Sequence, residues 1–411
     1  MPSLPRLLFL SHCLPYPPQS GVTIRTFNIL KQLRKEFDVT LLMFSRANHQ
    51  ADQAARDAAR ATLEGHGLHT SPAVPVAAER SKPRRAWDHL RSLATGHAYT
   101  FYEYGSDEFG RELRDAITGA PPAIVHLDSL DLHAWVSALP PVPTVCTHHD
   151  IESDALRRRA EHVSPPPLRW YVRHQAALVE RTERTLAPRF TANVVMSPVD
   201  ATRLAKIAPG SRTIVVPNGV DTEYFTPGRA DAVVPGRIVF IGGTYFFPNR
   251  DAVEYLLREI WPLVRAVRPA ATLHLIGRAS EADRERYGAH AGVSCLGGVD
   301  DIRPHVAEAC CSVVPIRIGG GTRIKILDSW SMGKAVVSTS LGCEGLRADD
   351  GHNILVRDEP ATFADAIVHL IDDAALRDSL GASGRRTVEA VYAWDIAGRD
   401  MRAAYAALLA A

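Results

Sequence analysis

The stretch "IRIGGGTRIKILDSW" (316–330) places Gly319, Gly320 and Gly321 ahead of Thr322, Arg323, Lys325 and Asp328. These residue types at this spacing can hold an anion. Glycine lets backbone N–H groups approach a ligand closely, and the first turn of a helix presents N–H groups that no helical carbonyl takes up. Thr322 reads as the N-cap of the helix that follows. If Arg323 and Lys325 both reach a diphosphate, each charge-assisted hydrogen bond contributes roughly 1.5–3 kcal/mol. Lys325 and Asp328 share a helix face, while Ile324, Ile326 and Leu327 are spaced to reach a core. Spacing alone leaves a second reading open, a tight glycine turn followed by a surface ion pair.

The standard nucleotide motifs are absent. The first apolar strand runs into "HCLPYPPQSG" rather than G-x-G-x-x-G, Gly242 and Gly243 lack a third glycine, and no G-x-x-x-x-G-K-[ST] loop occurs.

The elements that position these residues follow from hydrophobic patterning. "RLLFLS" (6–11) and "DVTLLMFS" (38–45) are short apolar runs suited to buried parallel strands, and Ile24, Phe27, Leu30, Leu33 and Phe37 recur between them at helical spacing. The chain therefore opens with a βαβ unit. Strand-like runs at 123–129, 143–150, 192–197 and 212–219 continue the series. Residues 220–236 are turn-rich and read as a linker, and a second βα series follows from "RIVFIGG" through "AVVSTS". The expected fold class is α/β, two Rossmann-like doubly wound parallel-sheet domains with a cleft between the carboxyl ends of their strands. The expected domains are 1–218 and 219–394, with a helix over 395–411 packing back on the first.

With 411 residues, 46% hydrophobic, 23% charged and a net charge of +1, the composition is that of a globular enzyme of two or three domains. That balance offers no overall attraction for nucleic acid. The six cysteines show no C-x-x-C spacing and read as reduced core thiols of a cytoplasmic protein. The apolar run near the start is too short for a signal peptide or a membrane span. No D-x-D motif and no compact His/Cys/Asp set is visible along the sequence, so no metal and no cofactor are expected.

"PPQSGVTIR", "HHDIES", "VVPNGVDTEYF", the long segment "VDDIRPHVAEACCSVVPIRIGGGTRIKILDSWSMGKAVVST" and "YAWD" occur in this order over nearly the whole chain. Together they resemble the family 4 (group 1) retaining glycosyltransferases of the GT-B fold. The resemblance implies a metal-independent hexosyltransferase-type enzyme. Its second domain would hold a nucleoside-diphosphate sugar and its first a saccharide or lipid-linked acceptor, in cell-surface or extracellular glycan synthesis.

Carried over residue by residue, Asp328 stands where the family binds the donor ribose with a glutamate, shorter by one methylene. Gly320 stands where the family's other glutamate contacts the donor sugar, and it offers only backbone. Arg323 and Lys325 correspond to diphosphate ligands, with Gly243 and Thr244 near phosphate or nucleoside, whereas Tyr245, Phe246 and Phe247 read as packing residues. His149, rather than His148, matches the histidine beside the reacting sugar. Ser20 and Gly21 fit a loop that closes on the phosphates, or an ordinary loop before a helix. Arg25, His126, Asp128, Asp150 and Glu152 are the acceptor-side candidates, with Arg25 facing either cleft or solvent.

Basic clusters at 80–87 and 156–174, mixed with Trp87, Trp170 and Tyr171, suit either peripheral contact with an anionic membrane at its inner face or solvated helix faces. With no side-chain nucleophile evident, a front-side displacement fits retention. Two rivals remain. A nucleotide-sugar epimerase of the same fold would need clustered acid/base carboxylates, which the sequence does not display. A non-catalytic nucleotide-sugar-binding homologue is the other.

Overall fold

A computed structural model describes residues 4–47, 49–163 and 165–410. The chain divides into two compact units, residues 1–217 with 394–411 and residues 218–393. Residues 220–236 belong to the second unit rather than forming a free linker. Val220 is buried and its N–H donates to the Tyr392 carbonyl, and Phe225 packs against the unit's core.

Unit 1 is built on a parallel sheet of β1 (Arg6–Ser11), β2 (Asp38–Ser45), β3 (His69–Thr70), β4 (Val74–Pro75), β5 (Ile124–Leu127), β6 (Thr144–His148), β7 (Ala192–Val195) and β8 (Thr213–Val215). The order is β3-β2-β1-β5-β6-β7-β8, with β4 beside β2. Side chains alternate across the sheet and both faces are covered: Leu7 and Phe9 enter one cluster, Leu8 and Leu10 the other. The helix Trp394–Leu409 lies on the first of these faces, with Trp394, Met401 and Tyr405 in that cluster. Gln32 Nε2 donates to Asp395 at 2.7 Å beside it.

Unit 2 repeats the plan with β9 (Arg237–Ile241), β10 (Thr272–Ile276), β11 (Val293–Gly297), β12 (Cys311–Val314), β13 (Ala335–Ser338) and β14 (Leu355–Val356), ordered β11-β10-β9-β12-β13-β14. All of its pairings are parallel. In each sheet the chain reverses direction of growth beside its first strand, between β1 and β5 in unit 1 and between β9 and β12 in unit 2. Crossovers leave in opposite directions there, so the loops at the strands' carboxyl ends part and leave room for a ligand.

All six cysteines are free thiols, five of them buried and Cys295 half-buried. No helix among the described residues is long and apolar enough to cross a membrane.

Candidate functional site

In unit 2 the helix Ile324–Ser331 is fixed from its apolar side. Ile326, Leu327 and Trp330 are fully buried, and the Trp330 indole N–H donates to the Asn353 carbonyl at 2.8 Å. Burying each such side chain contributes roughly 1.5–3 kcal/mol, which sets the rotation of the helix. Lys325 and Asp328 are thereby held in place, Asp328 buried and Lys325 half-buried with its amine turned inward. The Lys325 amine donates to Asn249 Oδ1 at 2.7 Å and lies 4.6 Å from the centre of the Phe240 ring. Asn249 in turn donates to the Gly243 carbonyl at 3.1 Å. Gly242 leaves room for this arrangement, because a Cβ there would stand 2.7 Å from the amine.

Desolvation, then the Arg323 charge, push the Lys325 amine down to about 7. Desolvation pushes Asp328 up to about 7 against the pull of Lys325. A buried amine with one neutral oxygen partner is under-compensated, and an arriving anion would relieve it.

The glycine run is a true turn, with φ of 105° at Gly319 and 71° at Gly321, and the Gly320 carbonyl accepts from Arg323 Nη1. Thr322 does not cap the helix. Its hydroxyl accepts from Asn218 Nδ2 at 2.7 Å, and Arg323 occupies the cap position with no side-chain cap bond. Thr244 is buried and donates to Asp283 at 2.8 Å, so its hydroxyl is engaged within the unit. Tyr245, Phe246 and Phe247 contradict the packing expectation, being 60%, 52% and 38% exposed. They sit where the chain turns into the helix Phe247–Tyr255, outside the apolar periodicity that fills the core.

In unit 1 the same topological position collects different chemistry. His12 follows β1, Asp128 follows β5, and His149 follows β6. His149 Nε2 donates to the Asp128 carbonyl at 2.6 Å and lies 3.5 Å from Asp128 Oδ1. Asp128 Oδ2 accepts from the Thr26 hydroxyl at 2.5 Å. Burial would push the Asp128 carboxyl up, but His149 and His126 outweigh it and hold the group below the usual carboxylate range. Desolvation and His149 push His12 down to about 4.

The potential ligand atoms of His12, Asp128 and His149 lie within 4.8 Å of one another, so a compact His/Asp set does exist here. Its members stand far apart in the sequence, and His12 follows a strand just as His149 does. A nitrogen that donates a hydrogen bond has no lone pair for a metal, so His149 Nε2 as bonded here is not a ligand atom.

Three acceptor-side candidates prove to be interior or supporting groups. His126 is fully buried, stacked on Phe9 and bonded to the Tyr405 hydroxyl and to Thr147 at 3.0 Å. Arg25 faces neither cleft nor solvent, since it is buried and donates to the Val216 and Pro217 carbonyls at 2.9 and 3.0 Å. Asp128 is buried beneath His149. Ser20 is the N-cap of the helix Gly21–Leu33 in a reciprocal box with Thr23, and Gly21 is that helix's first residue. His148 turns inward to Asn193 at 3.0 Å.

His149, Asp150 and Glu152 line a pocket of unit 1 of about 670 Å³, counting solvent at its mouth, together with His12, Asp131 and Glu183. Glu183 is fully buried and accepts from the Ser153 N–H at 3.2 Å and hydroxyl at 2.5 Å, which ties down the start of the helix Glu152–Glu161. The clustered carboxylates absent from a linear reading are present here, contributed by segments far apart in sequence.

The family model described as Glycosyltransferase Family 4 matches residues 19–224, half of the chain, and the model described as Glycosyl transferases group 1 matches residues 235–373. The chain belongs to glycosyltransferase family 4. A curated relative within reach of this family 4 chain is the phosphatidyl-myo-inositol mannosyltransferase of Mycobacterium tuberculosis, 27% identical over 48% of the chain and 55% of the relative. Another is the D-inositol 3-phosphate glycosyltransferase of Stackebrandtia nassauensis, 25% identical over 69% of each. Matched segments span only 36% and 55% of the length of the first curated relatives. Among solved structures, the Anabaena HepE protein in complex with UDP and glucose superposes with a TM-score of 0.67 at 16% identity, over 98% of this chain and 99% of that one. The family 4 chain thus has the fold class expected of it, two parallel-sheet α/β domains of the GT-B type.

Proposed function

We propose that the protein is a retaining glycosyltransferase that moves a sugar from a nucleoside-diphosphate sugar to a saccharide or lipid-linked acceptor. The observation that carries this reading is the buried Lys325 amine, held by Asn249 beside Gly242 and Gly243 at the point where the unit 2 sheet reverses. Arg323, Lys325 and the backbone N–H groups around Gly319, Gly320 and Gly321 stabilise charge growing on the leaving diphosphate. Asp328 takes the ribose hydroxyls. His149, oriented by Asp128, acts beside the reacting sugar. Retention follows from front-side displacement, the leaving phosphate oxygen taking the acceptor's proton, and no metal or cofactor takes part.

A glycan acceptor carried by a lipid gives the helix Lys82–Thr95 a role. It buries Asp88 and Ser92 while exposing Trp87 (59%), Leu90 (57%) and Leu93, flanked by Lys82, Arg85 and Arg91. A helix turned apolar side outward with basic flanks suits peripheral contact with an anionic bilayer at the cytoplasmic face, as cell-surface glycan assembly requires.

The carboxylates of the unit 1 pocket favour a second reading, a nucleotide-sugar epimerase. Family membership favours transfer. Nucleotide released only when an acceptor is present supports transfer, and acceptor-free isomerisation of the donor supports the epimerase.

A thermal-shift panel of UDP, GDP, ADP and their sugars, repeated on Arg323→Ala, tests the donor site. Stabilisation by one nucleotide series, reduced in the variant, is expected. No shift with any nucleotide overturns the transferase reading, while an equal shift in the variant overturns only the role of Arg323.

A further inference from the structure

The unit 1 pocket carries a charge pattern that sugar transfer does not by itself require. Asp131, Asp150 and Glu152 line it with Glu183, and among the described lining residues there is no lysine or arginine. Of the cations nearby, Arg46 is engaged elsewhere, pairing with Glu79 at 2.9 Å and Glu103 at 3.4 Å and bonding the Tyr104 hydroxyl, while Arg159 acts on Glu152 from outside the lining. The carboxylates crowd one another. Burial, then Asp131, Asp150 and Glu183, push the solvent-exposed Glu152 upward against the pull of Arg159. Two imidazole nitrogens of pocket-lining residues, His12 Nδ1 and His133 Nε2, have no hydrogen-bond partner among the described residues. Acceptor oxygens and imidazoles suit hydroxyl groups, which can donate to both.

We propose that this pocket recognises the acceptor and admits a polyhydroxy group without negative charge, favouring one that bears an ammonium and turning away phosphorylated or carboxylated sugars. This rests on the transferase reading and names the substrate class of that reaction. An ammonium relieves the repulsion among Asp131, Asp150 and Glu152, whereas a phosphate adds to it with no cation in the lining to offset it. Neutral sugars keep the hydroxyl bonds and lack the ionic contribution.

Calorimetric titration of the full chain without nucleotide tests this. The probes are methyl glycosides of glucose, galactose and mannose, their 2-amino counterparts and their 6-phosphates. On at least one sugar frame the amino compound is expected to bind about tenfold tighter than the neutral one at low salt, with the phosphate not binding. The double variant Asp131→Asn, Glu152→Gln narrows that gap, and far-UV circular dichroism with a thermal melt confirms that it is folded. A 6-phosphate binding as tightly as its neutral parent overturns the inference, as does an unchanged preference in the folded variant or no binding by any probe. Nucleotide thermal shifts on the same samples separate the two ideas. Shifts without sugar selectivity overturn only the pocket assignment, and sugar selectivity without nucleotide shifts overturns only the transferase reading.

Discussion

The two sheets present the same strand order at their ligand-facing ends and fill it with opposite chemistry. In unit 2 the segments after β9 and β12 supply glycines, Asn249, Arg323 and Lys325, with Asp328 beside them and Asp283 taken up by Thr244 and Arg250. In unit 1 the loops after β1, β5 and β6 supply imidazoles and carboxylates, and among the described pocket residues no fixed cation. Topology decides where a ligand can sit. Side-chain content decides what it can be: an anion on unit 2, and hydroxyl or ammonium groups on unit 1. The two also differ in how they are held. Asp128 is over-determined by Thr26, His149 and His126, whereas Lys325 is left with a neutral partner and a depressed pKa.

The strongest way to break the contrast is Asp128→Asn. One of the carboxylate's two acceptor positions becomes an NH2 group facing the Thr26 hydroxyl or His149 Nε2, both of which donate. Losing a buried charge among partners that remain costs about 3–5 kcal/mol, readable by urea denaturation at pH 7. The sign follows from the depressed pKa: Asp128's contribution is present above the unfolded value near 3.8 and fades as pH falls below it, so the variant and parent converge in acid. Turnover should fall as well, because His149 keeps its bond to the Asp128 carbonyl but loses the carboxylate charge 3.5 Å from its Nε2. A variant as stable as the parent would show that the cluster is incidental.

Lys325→Met tests the other half and should behave in the opposite way. Removing a desolvated amine leaves the free protein as stable or more stable at pH 6, while nucleoside-diphosphate affinity drops roughly 10- to 150-fold, the equivalent of about 1.5–3 kcal/mol. Calorimetry with the best nucleotide of the thermal panel measures this. Destabilisation without loss of affinity would make Lys325 a structural residue and dissolve the contrast.

How much of this was readable beforehand depended on distance along the chain. Most sheet strands longer than three residues follow from continuous apolar runs, because a strand buried on both faces has no polar alternation to hide it, whereas β11 exposes Ser294. The two-residue strands β3, β4 and β14 carry too few residues to leave a pattern. Lys325 and Asp328 were readable because one helix turn brings them together. The pocket was not, since His12, Asp131 and Glu183 come from three separate segments. Thr322 failed as a cap because Asn218, more than a hundred residues upstream, takes its hydroxyl. Arg25 was open between cleft and solvent because a helical stripe does not reveal that carbonyls at Val216 and Pro217 await it.

A smaller effect comes from pH. The depressed Lys325 pKa means that the free protein loses this charge as pH rises through about 7. Nucleotide affinity should therefore fall about tenfold between pH 6 and pH 8, and Lys325→Met should flatten that dependence. On stability the sign is reversed: the charged amine is a cost below about 7 that disappears as pH rises toward the ordinary value of 10.5. Asp328, raised to about 7, adds stability below its ordinary 3.8 that is lost as pH climbs through 7. The Asp328 change therefore falls between 3.8 and about 7 and the Lys325 change between about 7 and 10.5, so stability dips near pH 7 and a melt there mixes the two, while nucleotide binding reports Lys325 more cleanly.

The smallest expected change is in the stability of Phe246→Ser. If the aromatic run after Gly243 were packed, truncating a buried phenylalanine would cost about 3–5 kcal/mol. At 52% exposed it makes few contacts to lose, and the change should stay within about 0.5 kcal/mol by urea denaturation. At Gly243 a Cβ would lie 2.4 Å from the Tyr245 ring and 3.0 Å from the Arg278 carbonyl, so a side chain there would have to displace Tyr245 rather than Phe246. A loss of several kcal/mol would mean that these aromatics close onto the body of unit 2. Unchanged stability with weakened nucleotide or acceptor binding would place Phe246 on the ligand side of the same glycine turn that makes room for Lys325.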